Sequence, residues 1–527
     1  MLEYNAVELT ANWFIDKDPD NKGIDLGWNF NISETAVPTV VPSIIQETLP
    51  EYHGVAFYWC KFSSDVYCEN NGRMILRFKG VDYKAIVWLN GVLLGEHEGG
   101  ETPFDFDVTE TLKEENLLAV RVLNPIEYDI DGLNIANAAN RNKTIRKSAG
   151  CCLNSGGIWY GVELYSVPAV YVYDKFAMGD IHSGKLTVNV DLRNTVSASE
   201  KVTLSLSVYG KTDLTHKIVE KSLDLSVDCG DSSAEIELTV PNVRLWDIND
   251  PFLYRVDLCL TSAYGESRES FNFGFREFKV VDGYFCLNGR KIFLKCSHSG
   301  NAFPIGQNYP VVKEQVRQDM IMAKTYGFNA VRAISGTFRP EQLDVCDEIG
   351  LLIYEESLAA WQLGESRWML KDEKSSDLDQ EKMFRRFDVC TIEMVKRDRN
   401  HPSLVIWGLL NEMFIHNPIS EYAENFLPKI REVDPSRLIL LHSGRWDRRK
   451  HIASGSNPYS QTWDAYMGAD GNEAPEKEDM INGLSSADIG DYHYYPDYPM
   501  GEKDIAIFRN YAKDHLPAFI SESGIGP

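Results

Sequence analysis

Long apolar runs, paired cysteines and an excess of positive charge are all missing from this sequence. No run approaches the roughly 18 consecutive apolar residues that a membrane-spanning helix needs. Met1 leads into LEYNAVELTANWF, with neither the basic n-region nor the apolar h-region of a secretory leader. The 10 cysteines are scattered, with no CxxC spacing of the kind that holds zinc. Cys151 and Cys152 are adjacent, a poor geometry for an ordinary bridge. All read as free thiols, and the expected location is the reducing cytoplasm. Lysine and arginine number 53 against 78 acidic residues, a net charge of −25. That balance speaks against nucleic acid and against an anionic membrane surface as partners; it is chiefly a solubility property.

What remains is ordinary globular composition, 43% hydrophobic and 25% charged over 527 residues, enough for about three or four domains. Two stretches stand out. SLVIWGLLNE (403–412) is a near-continuous apolar run, as a strand buried on both faces requires, and it ends in Asn411 and Glu412. AFISESG (518–524) is a second short apolar run, ending in Glu522. Asn-Glu after a strand is also common loop chemistry. In a (β/α)8 barrel, however, the carboxyl ends of the strands form the catalytic face. Two carboxylates there are what a glycosidase needs: one protonates the leaving oxygen and the other attacks the anomeric carbon.

Taken in order, the chain divides into three. Residues 1–168 carry short β-rich runs, VAFYWCKF, RMILRFKG, KAIVWLNGVLLG and LLAVRVLN, with Asn90-Gly91 as a hairpin signal. The expectation is a sandwich or jelly roll. Residues 134–157, rich in Asn, Lys and Arg, are either a mobile surface loop or a loop leaning over the barrel mouth. Residues 169–280 alternate apolar and polar at period two in KLTVNVDLRN, KVTLSLSVYG and YRVDLCLTS, as a β-sandwich does. Residues 281–527 alternate strands and helices. The predicted strands are 291–299, 328–335, 351–357, the Glu412 run, 437–444, 486–496 and the Glu522 run; Pro340 opens a helix that stops at Gly350. No eighth strand follows. A parallel barrel short of one strand leaves two edges unpaired, so a C-terminal truncation is expected, with completion by another chain as the rival.

These motifs carry a resemblance. GVDYKAIVWLNGVLLGEHEGGETPFDFDVT (80–109) and SGGIWYGVELYSVP (155–168) are similar to the sugar-binding jelly roll that opens glycoside hydrolase family 2 enzymes. The second domain resembles that family's immunoglobulin-like spacer. NAVR, DRNHPSLVIWGLLNE and FISESG resemble its barrel at matching positions, so the likeness covers essentially the whole chain.

The resemblance implies a retaining exo-β-glycosidase acting on an oligosaccharide or glycoside, with Glu412 as general acid/base and Glu522 as nucleophile. Arg332, after the second strand, and Tyr494, after the sixth, are expected to donate to Glu522, unless Arg332 is an ordinary ion pair and Tyr494 a core aromatic. Asn411 is expected to donate to the sugar 2-hydroxyl. His298 is a sugar contact or a structural histidine. Glu355 or Glu356 binds substrate or is a solvated loop carboxylate. Trp361, Trp446 and Trp463 fall in predicted loops where an indole stacks on sugar or merely packs. Galactosidase and glucuronidase members usually carry a histidine shortly after the second-strand arginine; here Ser335, Gly336 and Thr337 stand instead. EESLAAW is closer to the glucuronidase pattern. A mouth poor in histidine gives no case for a metal, and no cofactor is expected. A homo-oligomer fits the family. A non-catalytic carbohydrate-binding protein and a subunit of a larger assembly are the competing classes.

Overall fold

The computed structural model describes residues 6–64, 71–135, 137–139, 143–144, 152–299, 313–334, 336–358, 377–411, 419–443, 489, 491–493, 499–510, 517 and 519–523. Its N-terminal jelly roll packs a six-stranded sheet on a four-stranded one. At the centre of the larger sheet lies Gly54–Ser63, paired antiparallel with Glu115–Asn124. Its period-two alternation serves two cores at once. Ala56, Tyr58 and Cys60 meet Met74, Leu76 and Phe78 of the smaller sheet. Val55, Phe57 and Trp59 face the other way, in a cluster that includes Leu358 and Cys390 from the barrel. The predicted hairpin forms at Asn90 and Gly91, both left-handed (φ 53° and 82°).

The second domain is an immunoglobulin-like sandwich of a three-stranded and a four-stranded sheet. Lys185–Asn194 buries every second residue. Its inward side chains Val188, Val190 and Leu192 pack against Leu204, Leu206 and Leu258 of the facing sheet.

The third domain is the barrel, and strands and helices are numbered from its start. A five-stranded parallel sheet runs in the order β1 (Cys296–Ser299), β2 (Ala330–Ala333), β3 (Leu352–Glu356), β4 (Leu404–Asn411) and β5 (Leu438–Ser443). A parallel bridge from Leu440 to Ile489 continues it. Beyond this, β6 (Tyr492–His493) and β7 (Ile520–Glu522) pair in parallel. Among the described residues the helices are α1 (Lys313–Thr325), α2 (Pro340–Ile349), α3 (Asp377–Asp398), α4 (Ile419–Val433) and α5 (Glu502–Asn510). Pro340 opens α2, and Gly350 (φ 73°) closes it in the left-handed conformation that favours glycine. Every residue of β4 is buried. Its Trp407 and Leu409 pack outward with Phe387, Phe426 and Ile430 of α3 and α4, while Ile406 packs inward with Leu352, Tyr354 and Leu440. Of the 486–496 run predicted for the sixth strand, β6 covers Tyr492–His493, while 486–488, 490 and 494–496 lie outside the described residues. Among the described residues, no helix is long and apolar enough to cross a membrane.

The three domains are bonded together. Arg386 of α3 pairs with Glu98 at 2.6 Å and donates to the Asn137 carbonyl at 3.1 Å. Asn134, Asn137, Ala138 and Ala139 are buried, so the described start of the 134–157 segment is a packed junction between jelly roll and barrel rather than a surface loop. Arg399 pairs with Asp174 at 2.8 Å, and the Asn400 amide bonds both Ala177 and Lys175, which ties the sandwich to the end of α3.

Candidate active site

Alternation along the barrel strands decides which polar side chains point inward. On β2, Val331 and Ala333 belong to the outer core, and Arg332, between them, projects the other way. On β3, Ile353 faces outward, Tyr354 faces inward, and Glu356 follows Tyr354. Arg332 and Glu356 are both sealed from solvent, at 0% and 1% exposure.

A guanidinium has five N–H donors, and burial makes each unpaired one costly. Here every one is matched. Nε donates to Glu356 Oε1 at 2.7 Å. Nη1 donates to Glu522 Oε1 at 2.9 Å and to the Ser521 hydroxyl at 3.2 Å. Nη2 faces Asn411 Oδ1 and the Ser443 hydroxyl, each at 2.8 Å, and also Glu356 Oε1 at 2.5 Å. Acceptors therefore come from the ends of β3, β4, β5 and β7. Behind the two serines lies Asp491, fully buried; it accepts from Ser443 at 2.7 Å and from Ser521 in a shorter contact.

Burial by itself lowers the Arg332 pKa, but Glu356, Tyr354, Glu522 and Asp491 outweigh it, and the guanidinium stays charged far above neutral pH. The cation also lies 5.0 Å from the Tyr354 ring centroid. Close approach is possible because residue 408 is glycine. A Cβ there would stand 2.6 Å from Tyr354 Cε2 and 2.7 Å from Glu356 Cγ.

The expected pair Glu355 and Glu356 separates. Glu355 points to the outer side, where its Oε1 accepts from the Phe338 N–H at 2.6 Å and lies 3.7 Å from Arg397. Burial and the neighbouring Asp398 push its carboxyl well above the usual carboxylate range. Glu356 is the inward member, and it is not a solvated loop carboxylate. The alternation was readable in the sequence; which member faces the arginine needed the sheet.

Arg332, Asn411, Glu356 and Glu522 thus come together. Arg332 is no ordinary surface ion pair. Asn411 accepts through Oδ1, which turns its amide nitrogen away from Arg332 as the remaining donor. His298 is the register partner of Arg332, and its side chain is exposed. Glu412, Tyr494, Trp361, Trp446 and Trp463 lie outside the described residues. Three participants escaped sequence reasoning: Ser443, Ser521 and Asp491. Ser443 closes β5, Ser521 lies within β7 and Asp491 precedes β6; a short polar residue in such a place is a weak signal beside the glutamates.

A jelly roll and a β-sandwich ahead of a parallel barrel, with buried carboxylates gathered round one arginine at the strands' carboxyl ends, define a three-domain barrel protein with a polar pocket. Three family descriptions match it in succession: the sugar-binding domain of glycosyl hydrolases family 2 over residues 5–168, the family's second domain over 170–276, and its TIM barrel domain over 278–477. The chain belongs to glycosyl hydrolase family 2. It is 26% identical over 459 residues to a β-galactosidase of Halalkalibacterium halodurans, covering 82% of this chain and 41% of that protein. To a β-glucuronidase of Streptococcus agalactiae it is 25% identical over 444 residues, 78% of this chain and 70% of that one. The chain spans less than half the length of the first curated relatives it matches. Among solved structures, a Bacteroides uniformis β-glucuronidase superposes with a TM-score of 0.73 at 19% identity, over 97% of this chain and 58% of that one. A β-galacturonidase from Eisenbergiella tayi does so at 0.71 and 20%, over 99% and 81%.

Proposed function

We propose that this protein is a retaining exo-β-glycosidase that removes a terminal β-linked sugar by double displacement. The observation that carries this reading is the 2.9 Å bond from Arg332 to Glu522 inside a buried polar pocket. A carboxylate that attacks an anomeric carbon acts as an anion, and Arg332 holds a fixed cation against its oxygen. Glu522 attacks, and Glu412 protonates the departing oxygen, then takes a proton from the water that releases the sugar. Retention places the two carboxyl groups roughly 5–5.5 Å apart. Asn411, its carbonyl held by Arg332, offers its amide to the sugar 2-hydroxyl, a contact that strengthens as charge develops on the ring. The proposed substrates are β-galactosides or β-glucuronides, following the names of the relatives.

A hydrolysis screen with aryl β-galactoside, β-glucuronide, β-mannoside and β-glucoside tests this. Turnover of one of them, with the β-anomer as first product by NMR and loss of activity in Glu522→Gln, is expected. Silence on all four, or turnover that survives Glu522→Gln, overturns the assignment. Glu412→Ala is expected to slow unactivated glycosides most and to be partly rescued by azide.

A further inference from the structure

Asp491 is a fully buried carboxylate with no part in the chemistry just described. It lies just before β6, and two serine hydroxyls stand between it and Arg332. A hydroxyl has one proton to give and two lone pairs to offer. Ser443 Oγ accepts from Arg332 at 2.8 Å and donates to Asp491 at 2.7 Å. Ser521 Oγ accepts from Arg332 at 3.2 Å and likewise donates to Asp491. The two hydroxyls lie 3.4 Å apart, on the same carboxylate oxygen. That oxygen, Oδ2, is the acceptor in both bonds, so both hydroxyl protons point at Asp491. Both hydroxyls are thereby made to present lone pairs to the guanidinium.

We infer that Asp491 is a positioning residue: through the hydroxyls of Ser443 and Ser521 it fixes the orientation in which Arg332 holds Glu522 and Asn411. Without that direction imposed, each serine is free to rotate its proton toward Arg332, where donor meets donor. Nη1 and Nη2 then each lose a hydroxyl acceptor and are drawn toward the Ser521 carbonyl and Glu356, and the guanidinium turns away from the geometry that serves Glu522. An asparagine at 491 keeps the shape but adds an N–H₂ group that competes with one hydroxyl proton. The inference rests on the proposed role of Glu522, and the test separates the two.

The test is covalent trapping of the full chain by 2-deoxy-2-fluoro-β-glycosyl fluorides of galactose and glucuronic acid, followed by intact-protein mass. The fluorine slows release, so a retaining nucleophile stays labelled. Wild type is expected to gain one sugar mass, and Glu522→Gln none. Asp491→Asn is expected to cut the inactivation rate constant between about tenfold and about 100-fold, with the inhibitor's half-saturation little changed, as misplacement of a reacting group does. In a Ser443→Ala, Ser521→Ala background, the same Asp491→Asn change is expected to cost less than threefold, because its route to Arg332 is already cut. Circular dichroism confirms that each variant folds, and the serine variants, which only delete hydroxyls, carry the test if Asp491→Asn does not fold: Ser443→Ala with Ser521→Ala is then expected to slow labelling by a similar factor. No labelling of the wild type by either reagent overturns the glycosidase reading and this inference together. Labelling of wild type with an unchanged rate in Asp491→Asn, or in the folded double serine variant, overturns the inference alone. So does an equal cost of Asp491→Asn with and without the serines.

Discussion

Arg332 and Glu522 are 190 positions apart in the chain, and 2.9 Å separates the nitrogen of one from the oxygen of the other. The pair closes the polar pocket between β2 and β7. It holds a cation and a carboxylate out of water at 0% and 8% exposure, and such a pair persists only when the surrounding geometry satisfies both charges.

Removing the cation should therefore do more than lower activity. Arg332→Ala leaves Glu356 and Glu522 buried without their shared partner, and breaking a buried pair costs about 3–5 kcal/mol. Chemical denaturation is expected to show that loss together with loss of glycosyl-enzyme formation. Arg332→Lys keeps the charge but has three donors in place of five, so it should recover part of the stability and little of the reactivity. A variant with both properties intact would remove Arg332 from the centre of the site.

The two adjacent glutamates of β3 should respond in opposite ways. Burial and Asp398 push the Glu355 carboxyl well above the usual carboxylate range, and Glu355→Gln keeps both the size and the oxygen that accepts from the Phe338 N–H. Activity and denaturation midpoint are expected to stay close to wild type. Glu356→Gln removes the negative charge that meets Arg332 Nε, and activity should fall by more than about tenfold, the scale of a lost charge-assisted bond. Equal effects from the two exchanges would contradict the assignment of faces.

Gly408 is a test of packing alone. A methyl group there meets the Tyr354 ring and the Glu356 stem, both buried. Gly408→Ala is expected to destabilise by about 1–3 kcal/mol, the usual cost of overpacking, and to reduce activity by displacing Glu356. An unchanged midpoint in urea would show that the inner layer of the barrel yields.

His401 carries a pH dependence unrelated to catalysis. Burial alone would lower its pKa, but Asp347, bonded at 2.6 Å, and the nearby Asp344 and Asp398 raise it above the ordinary histidine value. A group whose folded pKa is raised stabilises fully below its unfolded pKa, about 6.5, and loses that contribution as pH rises through the folded value. Stability measured by denaturation should accordingly decline on the alkaline side of about pH 6.5, and His401→Gln should flatten the slope. The same slope in the variant would assign it to other groups.

How much of this was readable in advance follows from the physics of each element. The apolar run 404–410 determined a doubly buried strand by itself, because seven positions without a polar break call for burial on both faces. Pro340 and Gly350 determined where a helix begins and ends, because their backbone preferences act locally. The closing residue Glu522 was conspicuous for the same reason, a charge at the end of an apolar run. The sequence thus indicated the order of the three domains and four residues of the pocket, Arg332, Glu356, Asn411 and Glu522. Tertiary structure alone decided which of them meet. The acceptors of Arg332 lie 24, 79, 111, 189 and 190 positions away. Period-two alternation assigns each a face, but only the arrangement of the parallel strands in space brings those faces to one point. Ser443, Ser521 and Asp491 owe their roles to that arrangement: a short polar side chain says little until the direction of its neighbour's donors is known.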